Sequence, residues 1–233
     1  MLLKRLSAGT LLFLLAVSIP TLSLAEEAIT ITKTAVCAWN GTDWLERDVL
    51  WAHGAVEIKN ISKKAIRINK LVITFIGKND AVLGITDLYT VAPKIVWPGE
   101  IAYAGDSIEL EDVKTPQDVL RIDVYVDYEE SSDIGKPLSI TNLRAIKTAI
   151  NGIKILGFAQ KTSPGNIEGD LHFVIALFDG NDKLLAVQAG DRINVKLKQN
   201  DKIGIEANDL PLPANILDNT KKLIGKAYVF EWW

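Results

Sequence analysis

The chain has 233 residues, 48% of them hydrophobic, with 26 Lys and Arg against 29 Asp and Glu and a formal net charge of −3. A mildly acidic, mixed-sign surface lacks the clustered positive charge that a nucleic-acid partner requires. The one cysteine, Cys37, cannot close an internal disulfide, so stability has to come from packed cores, which domains of about a hundred residues can supply.

The first residues read as an address. Lys4 and Arg5 form a short basic segment, and Leu11–Ile19 is an apolar core too short to cross a bilayer comfortably as a helix. Pro20 breaks that core, and Ser23-Leu24-Ala25 supplies the small-x-small pattern that signal peptidase accepts. Residues 1–25 are therefore expected to be a signal peptide, with an uncleaved amino-terminal anchor as the alternative. Cleavage would remove Lys4 and Arg5, taking 26 basic residues to 24 against 29 acidic ones, a net charge of −5. No later segment is long and apolar enough to span a membrane, so the expected location is periplasmic, cell-surface or extracellular.

Ile29-Thr30-Ile31-Thr32 opens the next region with strand alternation. Cys37–Trp51 follows, irregular and tryptophan-rich, with Trp39, Trp44 and Trp51, and Asn40-Gly41 as a turn signal between the first two. Two readings stand side by side. In one, a hairpin drops its tryptophans onto the core, since Trp is highly buried on average. In the other, Trp39, Asn40, Asp43 and Trp44 form a binding platform on a loop, because exposed indoles stack on sugars or anchor partner proteins.

From His53 to Asn60, Val56 and Ile58 mark one face of a strand, Glu57 and Lys59 the other. Lys70–Gly84 reads as two apolar runs around the turn Asn79-Asp80, with Leu71, Ile73 and Phe75 on one side. Pro98-Gly99 is a further turn pair. Ile122, Val124, Val126 and Tyr128 alternate with charged residues and Tyr125, predicting a half-buried strand. The polar break from Glu129 to Asp133, completed by Gly135-Lys136-Pro137, places a domain boundary between 26–132 and 133–233.

Past the boundary, Leu138–Ile150 allows a strand or a short helix, and Asn151-Gly152 favours a hairpin into Ile153–Ala159. Leu171–Ala186 then repeats the pattern of Lys70–Gly84, its turn Asn181-Asp182 lying 102 positions after Asn79-Asp80. At the same offset Lys59-Asn60-Ile61-Ser62 meets Lys161-Thr162-Ser163-Pro164, and Trp97–Glu100 meets Gln199–Lys202. An internal duplication is the favoured reading. Pro211-Leu212-Pro213 replaces a strand with an extended segment, and the chain closes on the strand Tyr228–Trp233.

Short strands with turn signals every eight to twelve residues predict an all-β chain of two tandem immunoglobulin-like antiparallel β-sandwich domains. Gly54-x-Val56-x-Ile58-x-Asn60 and the run Ile175-Ala176-Leu177-Phe178-Asp179 resemble the FxLYD domains of bacterial exported proteins, and Pro98-Gly99-Glu100 resembles a turn common in them. The first copy departs further, with Ile73-Thr74-Phe75-Ile76-Gly77 in place of the named run. The resemblance implies an Ig-like fold and a cell-envelope location, and brings no catalytic residue.

The chemistry-bearing residues are scattered. His53 and His172 stand at non-equivalent positions of the two copies, and His172 alternates with Leu171 and Phe173 as a sheet histidine would. Asp179-Gly180-Asn181-Asp182 lacks the spaced carboxylates of a calcium loop and reads as a turn. No serine stands in a nucleophile elbow, and Cys37 has no histidine nearby in sequence. The expectation is a non-enzymatic protein with no metal and no cofactor: an envelope module that binds a protein or glycan partner, or another copy of itself through sheet edges. A carbohydrate-binding or carbohydrate-acting secreted protein using the Trp39/Trp44 loop is the alternative.

Overall fold

A computed structural model describes residues 28–43, 45–88, 91–133, 137–149 and 152–231, with backbone alone at 191–193 and 231. The signal-type segment 1–25 and the segment 134–136 beside the predicted boundary lie outside the described residues. In chain order the strands are β1 (Ile29–Thr42), β2 (Asp48–Asn60), β3 (Ile66–Ile76), β4 (Val82–Leu88), β5 (Val91–Ala92), β6 (Ile95–Val96), β7 (Ile101–Leu110) and β8 (Arg121–Glu130). There follow β9 (Pro137–Lys147), β10 (Ile153–Gln160), β11 (Ile167–Phe178), β12 (Leu184–Leu197), β13 (Lys202–Ala207), the one-turn helix α1 (Ile216–Asn219) and β14 (Lys222–Glu231). The all-β expectation holds, and Leu138–Ile150, which also allowed a helix, supplies the strand β9.

In the first half, one sheet runs β1-β2-β7-β5, and a second is built on β3, flanked by β4, β6 and β8. The sheets face each other across a core of Leu50, Val56 and Ile58 from β2 and Leu71, Ile73 and Phe75 from β3. That is a sandwich, and the alternation read from Leu71, Ile73 and Phe75 points them inward. β2, however, is covered on both sides. Its other face, expected to be polar, carries Ala55 at 0%, His53 at 0% and Glu57 at 3% exposure.

The second half departs from the expected open sandwich. Its strands close in the order β10-β13-β12-β11-β14-β9 and back to β10, around a core containing Ile155, Leu171, Phe173, Ile175, Val195 and Ile205. Closure is narrow: Gly190 pairs with Ala207 at one seam, and Ala227 and Tyr228 pair with Leu138 and Pro137 at the other. The physical reason lies in β12. In the first half this course is split between β4 in one sheet and β5 in the other; in the second, one unbroken strand passes from β11 to β13. It turns the corner at Gly190, where a Cβ would stand 2.0 Å from the Phe173 ring.

Some backbone bonds recur between the halves. Asn60 N–H donates to Glu100 O and Gly99 N–H to Asn60 O; Lys161 N–H donates to Asp201 O and Asn200 N–H to Lys161 O. Asn60 and Lys161, 101 positions apart, thus hold equivalent places, one residue off the sequence alignment. Both are buried. The Asn60 amide donates to Lys64 O and Val96 O, while the Lys161 ammonium bonds Ser163 O, Ser163 Oγ and Pro164 O. The hairpin turns keep the offset of 102, with Gly77 N–H on Ala81 O and Asp179 N–H on Lys183 O.

The halves pack on each other through a third apolar cluster. Ala35, Ala55, Ala92 and Tyr103 of the β1-β2-β7-β5 sheet meet Val174, Ala176, Phe178, Leu184, Val187 and Ala189 on the outer face of β11 and β12. The described chain is therefore a two-sheet sandwich packed on a closed barrel, with three cores and the β1-β2-β7-β5 sheet lying between two of them.

Candidate functional site

β1 and β2 form a long hairpin in which Trp39 pairs directly with Trp51, Cys37 with His53 and Ala35 with Ala55. Directly opposed residues share a sheet face, so Trp39 and Trp51 lie on the side turned toward the second half. Their rings are 6.4 Å apart and inclined by 15°, and both are half-buried. Gly41, two residues beyond Trp39 on that face, makes the room. A Cβ there would stand 3.0 Å from Trp51 Cδ1 and 3.4 Å from Trp39 Nε1, so both indoles reach over the glycine. Trp51 Nε1 donates to Thr42 O at 3.3 Å. Asn40-Gly41, expected as a turn, therefore continues the strand.

The turn lies further on, and Asp43 organises it. Its carboxylate accepts from Leu45 N–H at 2.8 Å, Arg47 N–H at 2.9 Å and Arg47 Nε at 2.6 Å. Burial is the largest single influence and pushes the Asp43 carboxyl up, but the hydrogen bonds and charge of Arg47 together with Leu45 N–H outweigh it and leave it below the ordinary range. Its oxygens are engaged within the turn. Asn40 is exposed and lines a separate cleft of about 620 Å³ with Thr42, Asp48 and Glu109. Trp44 lies outside the described residues. Of the three predicted site residues that are described, Trp39 alone is placed at a cleft between the halves. Its partner Trp51 was not among the four, since only the register set by the Asp43–Arg47 turn brings it opposite.

That cleft, about 410 Å³, has Thr34, Cys37 and Trp39 on one wall and Leu185, Pro213 and Ile216 on the other, with Lys183, Asn215 and Asn219 also lining it. Burial pushes the Cys37 thiol up to about 12, which keeps it protonated and a poor nucleophile. α1, which the sequence reading did not anticipate, carries Ile216 and Asn219 and follows the buried Leu212.

The two walls belong to different halves and are fastened beside the cleft by polar groups as well as by the apolar cluster. Val187 N–H donates to His53 Nε2 at 3.2 Å, so the imidazole is neutral with its proton on Nδ1. Nδ1 in turn donates to Ser107 Oγ at 2.9 Å, whose hydroxyl donates to Pro211 O at 2.7 Å. Burial depresses His53 to about 3, against a small opposing influence from the Asp106 backbone. On the far side, Lys33 bridges Glu57 at 3.3 Å and Asp182 at 2.8 Å, and Lys222 reaches Asp182 at 2.9 Å. The hydrogen bond from Lys33, then that from Lys222, brings Asp182 down to about 2. The turn Asp179–Lys183 is thus a clamp: Asp182 holds the other half, and Asp179 Oδ1 accepts from the N–H groups of Asn181 and Lys183.

Among the described residues no group of three or more His, Cys, Asp or Glu is arranged to hold a metal ion, and no helix is long and apolar enough to cross a membrane. His172 stacks on Tyr228, its cross-strand partner, at 5.2 Å. No protein-family model matches the chain, and no curated protein matches it. Among solved structures there is a distant similarity to the N-terminal CBM22-1-CBM22-2 tandem domain of Paenibacillus barcinonensis Xyn10C. The identity is 9% over 88% of this chain and 87% of that one, with a TM-score of 0.16. At that score the similarity carries no argument about fold or function.

Proposed function

We propose that this protein is a non-enzymatic binding module of the bacterial cell envelope, exported by its amino-terminal segment. Its two halves, 26–132 and 133–233, are read as related Ig-like units of the FxLYD type. The observation that carries the binding role is Trp39, stacked on Trp51 and half-buried in the lining of a cleft whose two walls are locked together. A rigid aromatic face beside a preformed crevice binds with little ordering cost. The basic and apolar segments before Ser23-Leu24-Ala25 and the few FxLYD-type residues support export and an envelope location.

Trp39→Ala tests the role. Removing a half-buried indole should cost about 1–2 kcal/mol, part of the 3–5 kcal/mol of a fully buried one, and lower Tm by roughly 2–8 °C. Envelope components or glycans retained by immobilised wild-type protein should be lost by the variant while it remains folded. Retention of the same components by folded Trp39→Ala protein would remove the pair from the binding surface. A stability loss as large as that of a fully buried tryptophan would mean that the pair serves the core.

A further inference from the structure

We propose that the cleft between the halves is a saccharide site, in which Trp39 stacks an uncharged sugar ring and Asn215 and Asn219 take its hydroxyls. The inference rests on the proposed role of Trp39 as the ligand-facing surface. A pyranose ring presents C–H groups on its faces and hydroxyls around its rim. The complementary site is an aromatic face bordered by groups that both donate and accept hydrogen bonds.

The cleft has that composition. Its size, about 410 Å³, falls within the roughly 300–1,000 Å³ of small-molecule sites. Among the described residues, Lys183 is the one charged side chain in its lining, and no carboxylate is present there. A charged peptide would find no counter-charges of the right number, whereas an uncharged polyhydroxyl ligand needs none.

The hydrogen-bonding capacity in the lining is also uncommitted. Around the fastened part of the interface the polar side chains are engaged: His53 with Ser107, Lys33 with Asp182, and Gln188 with Ile153 O and Leu210 O. In the cleft, the side chains of Asn215 and Asn219 make no hydrogen bond among the described residues. Asn215 is the telling one. It occupies the position before α1, where an asparagine side chain ordinarily turns back to cap the helix. Its φ of −70° and ψ of −13° are helical, and its side chain makes no cap bond. The carboxamide is left to the cleft it lines.

Titration calorimetry on the full exported chain, with cellotetraose, N-acetylchitotetraose and maltotetraose as probes, tests the site. Wild-type protein should bind at least one of the three saturably. Trp39→Ala should abolish that binding, and the doubly substituted Asn215→Ala/Asn219→Ala protein should bind about tenfold more weakly with an unchanged Tm. Both asparagines are exposed, so their removal leaves the fold intact. If no tetrasaccharide binds while an envelope protein is retained through Trp39, the saccharide site is refuted and the binding module stands. If neither ligand class is retained, both fall. Tetrasaccharide binding that needs Trp39 but is indifferent to both asparagines would leave the platform and refute the cleft.

Discussion

His53 makes the contact between the halves sensitive to acid. In the fold it holds its proton on Nδ1, accepts from Val187 N–H and is fully buried, with a pKa of about 3 against 6.5 for the free side chain. Cys37 on β1, Ser107 and Asp106 on β7, and Val187 on β12 surround it, and the Cys37 thiol is itself kept neutral. Because the folded value is depressed, the unfolded chain binds the extra proton first as pH falls. The stabilisation is therefore fully present above about pH 7 and is lost progressively from pH 6.5 down to about 3. At about 1.4 kcal/mol per pKa unit the whole gap corresponds to about 5 kcal/mol, of which about 2 kcal/mol is lost between pH 6.5 and 4.5. His53→Gln keeps a side chain able to accept from Val187 but does not titrate. Urea unfolding of both proteins at pH 7.5, 6.5, 5.5 and 4.5 should show wild type losing about 2 kcal/mol more than the variant over the lower two steps. Parallel pH profiles would refute the buried neutral histidine.

Lys161→Met keeps the buried stem but removes the charge-assisted bonds to Ser163 O, Ser163 Oγ and Pro164 O, and should cost about 1–3 kcal/mol in urea unfolding. Lys161→Asn, which reproduces what Asn60 does in the first half, should cost less; equal losses would break that equivalence. Fragments 26–132 and 133–233, co-expressed, should co-purify, because each alone exposes its part of the cluster containing Ala55, Tyr103, Val174, Phe178 and Val187. Fragments that migrate separately in gel filtration at micromolar concentration would show that this contact adds little.

The sequence carried the strands because their alternation is local. Ile122 to Tyr128 and Leu71 to Phe75 face the core that period two assigns them, and Asn79, Asp80 and Asp182 take the positive φ angles expected of turn residues. It did not carry the second face of β2. His53 and Glu57 look like solvent residues until their partners are known, and those partners, Val187 and the Lys33–Asp182 pair, include groups more than a hundred positions away. Barrel closure was equally hidden, since it turns on β12 staying unbroken at one glycine. Of the site, Trp39 was legible as a large apolar residue in an irregular stretch. Asn215 and Asn219 were not, because nothing around Pro213 distinguishes a cleft wall from any other connection.

The position of the tryptophans follows from where the cover on the inner sheet stops. Along the face turned to the second half, the cross-strand rows run Lys33 with Glu57, Ala35 with Ala55, Cys37 with His53 and Trp39 with Trp51. Glu57, Ala55 and His53 are buried beneath β11 and β12, and Val187 bonds His53, whereas Trp51 in the next row is half-buried. The β1–β2 hairpin thus outruns its roof from this row on, through Gly41 and Val49, and the first uncovered row holds the two largest side chains on the face. Small residues, Ala35 and Ala55, are needed where two sheets press together; indoles fit only past the edge, where Gly41 gives them room to reach over the sheet. A sandwich standing alone would present this whole face to water and need polar residues along it. Docking the second half makes the face apolar, and the cleft is the gap left where that docking ends. The contact that stabilises the pair of halves therefore also fixes the distance between Trp39 and the Pro213–Asn219 wall. A substitution that loosens it, such as Phe178→Ala, should weaken binding at a site that Phe178 does not line. That loss should exceed the loss caused by Asn219→Ala at matched temperature, and the reverse order would show that the two walls act independently.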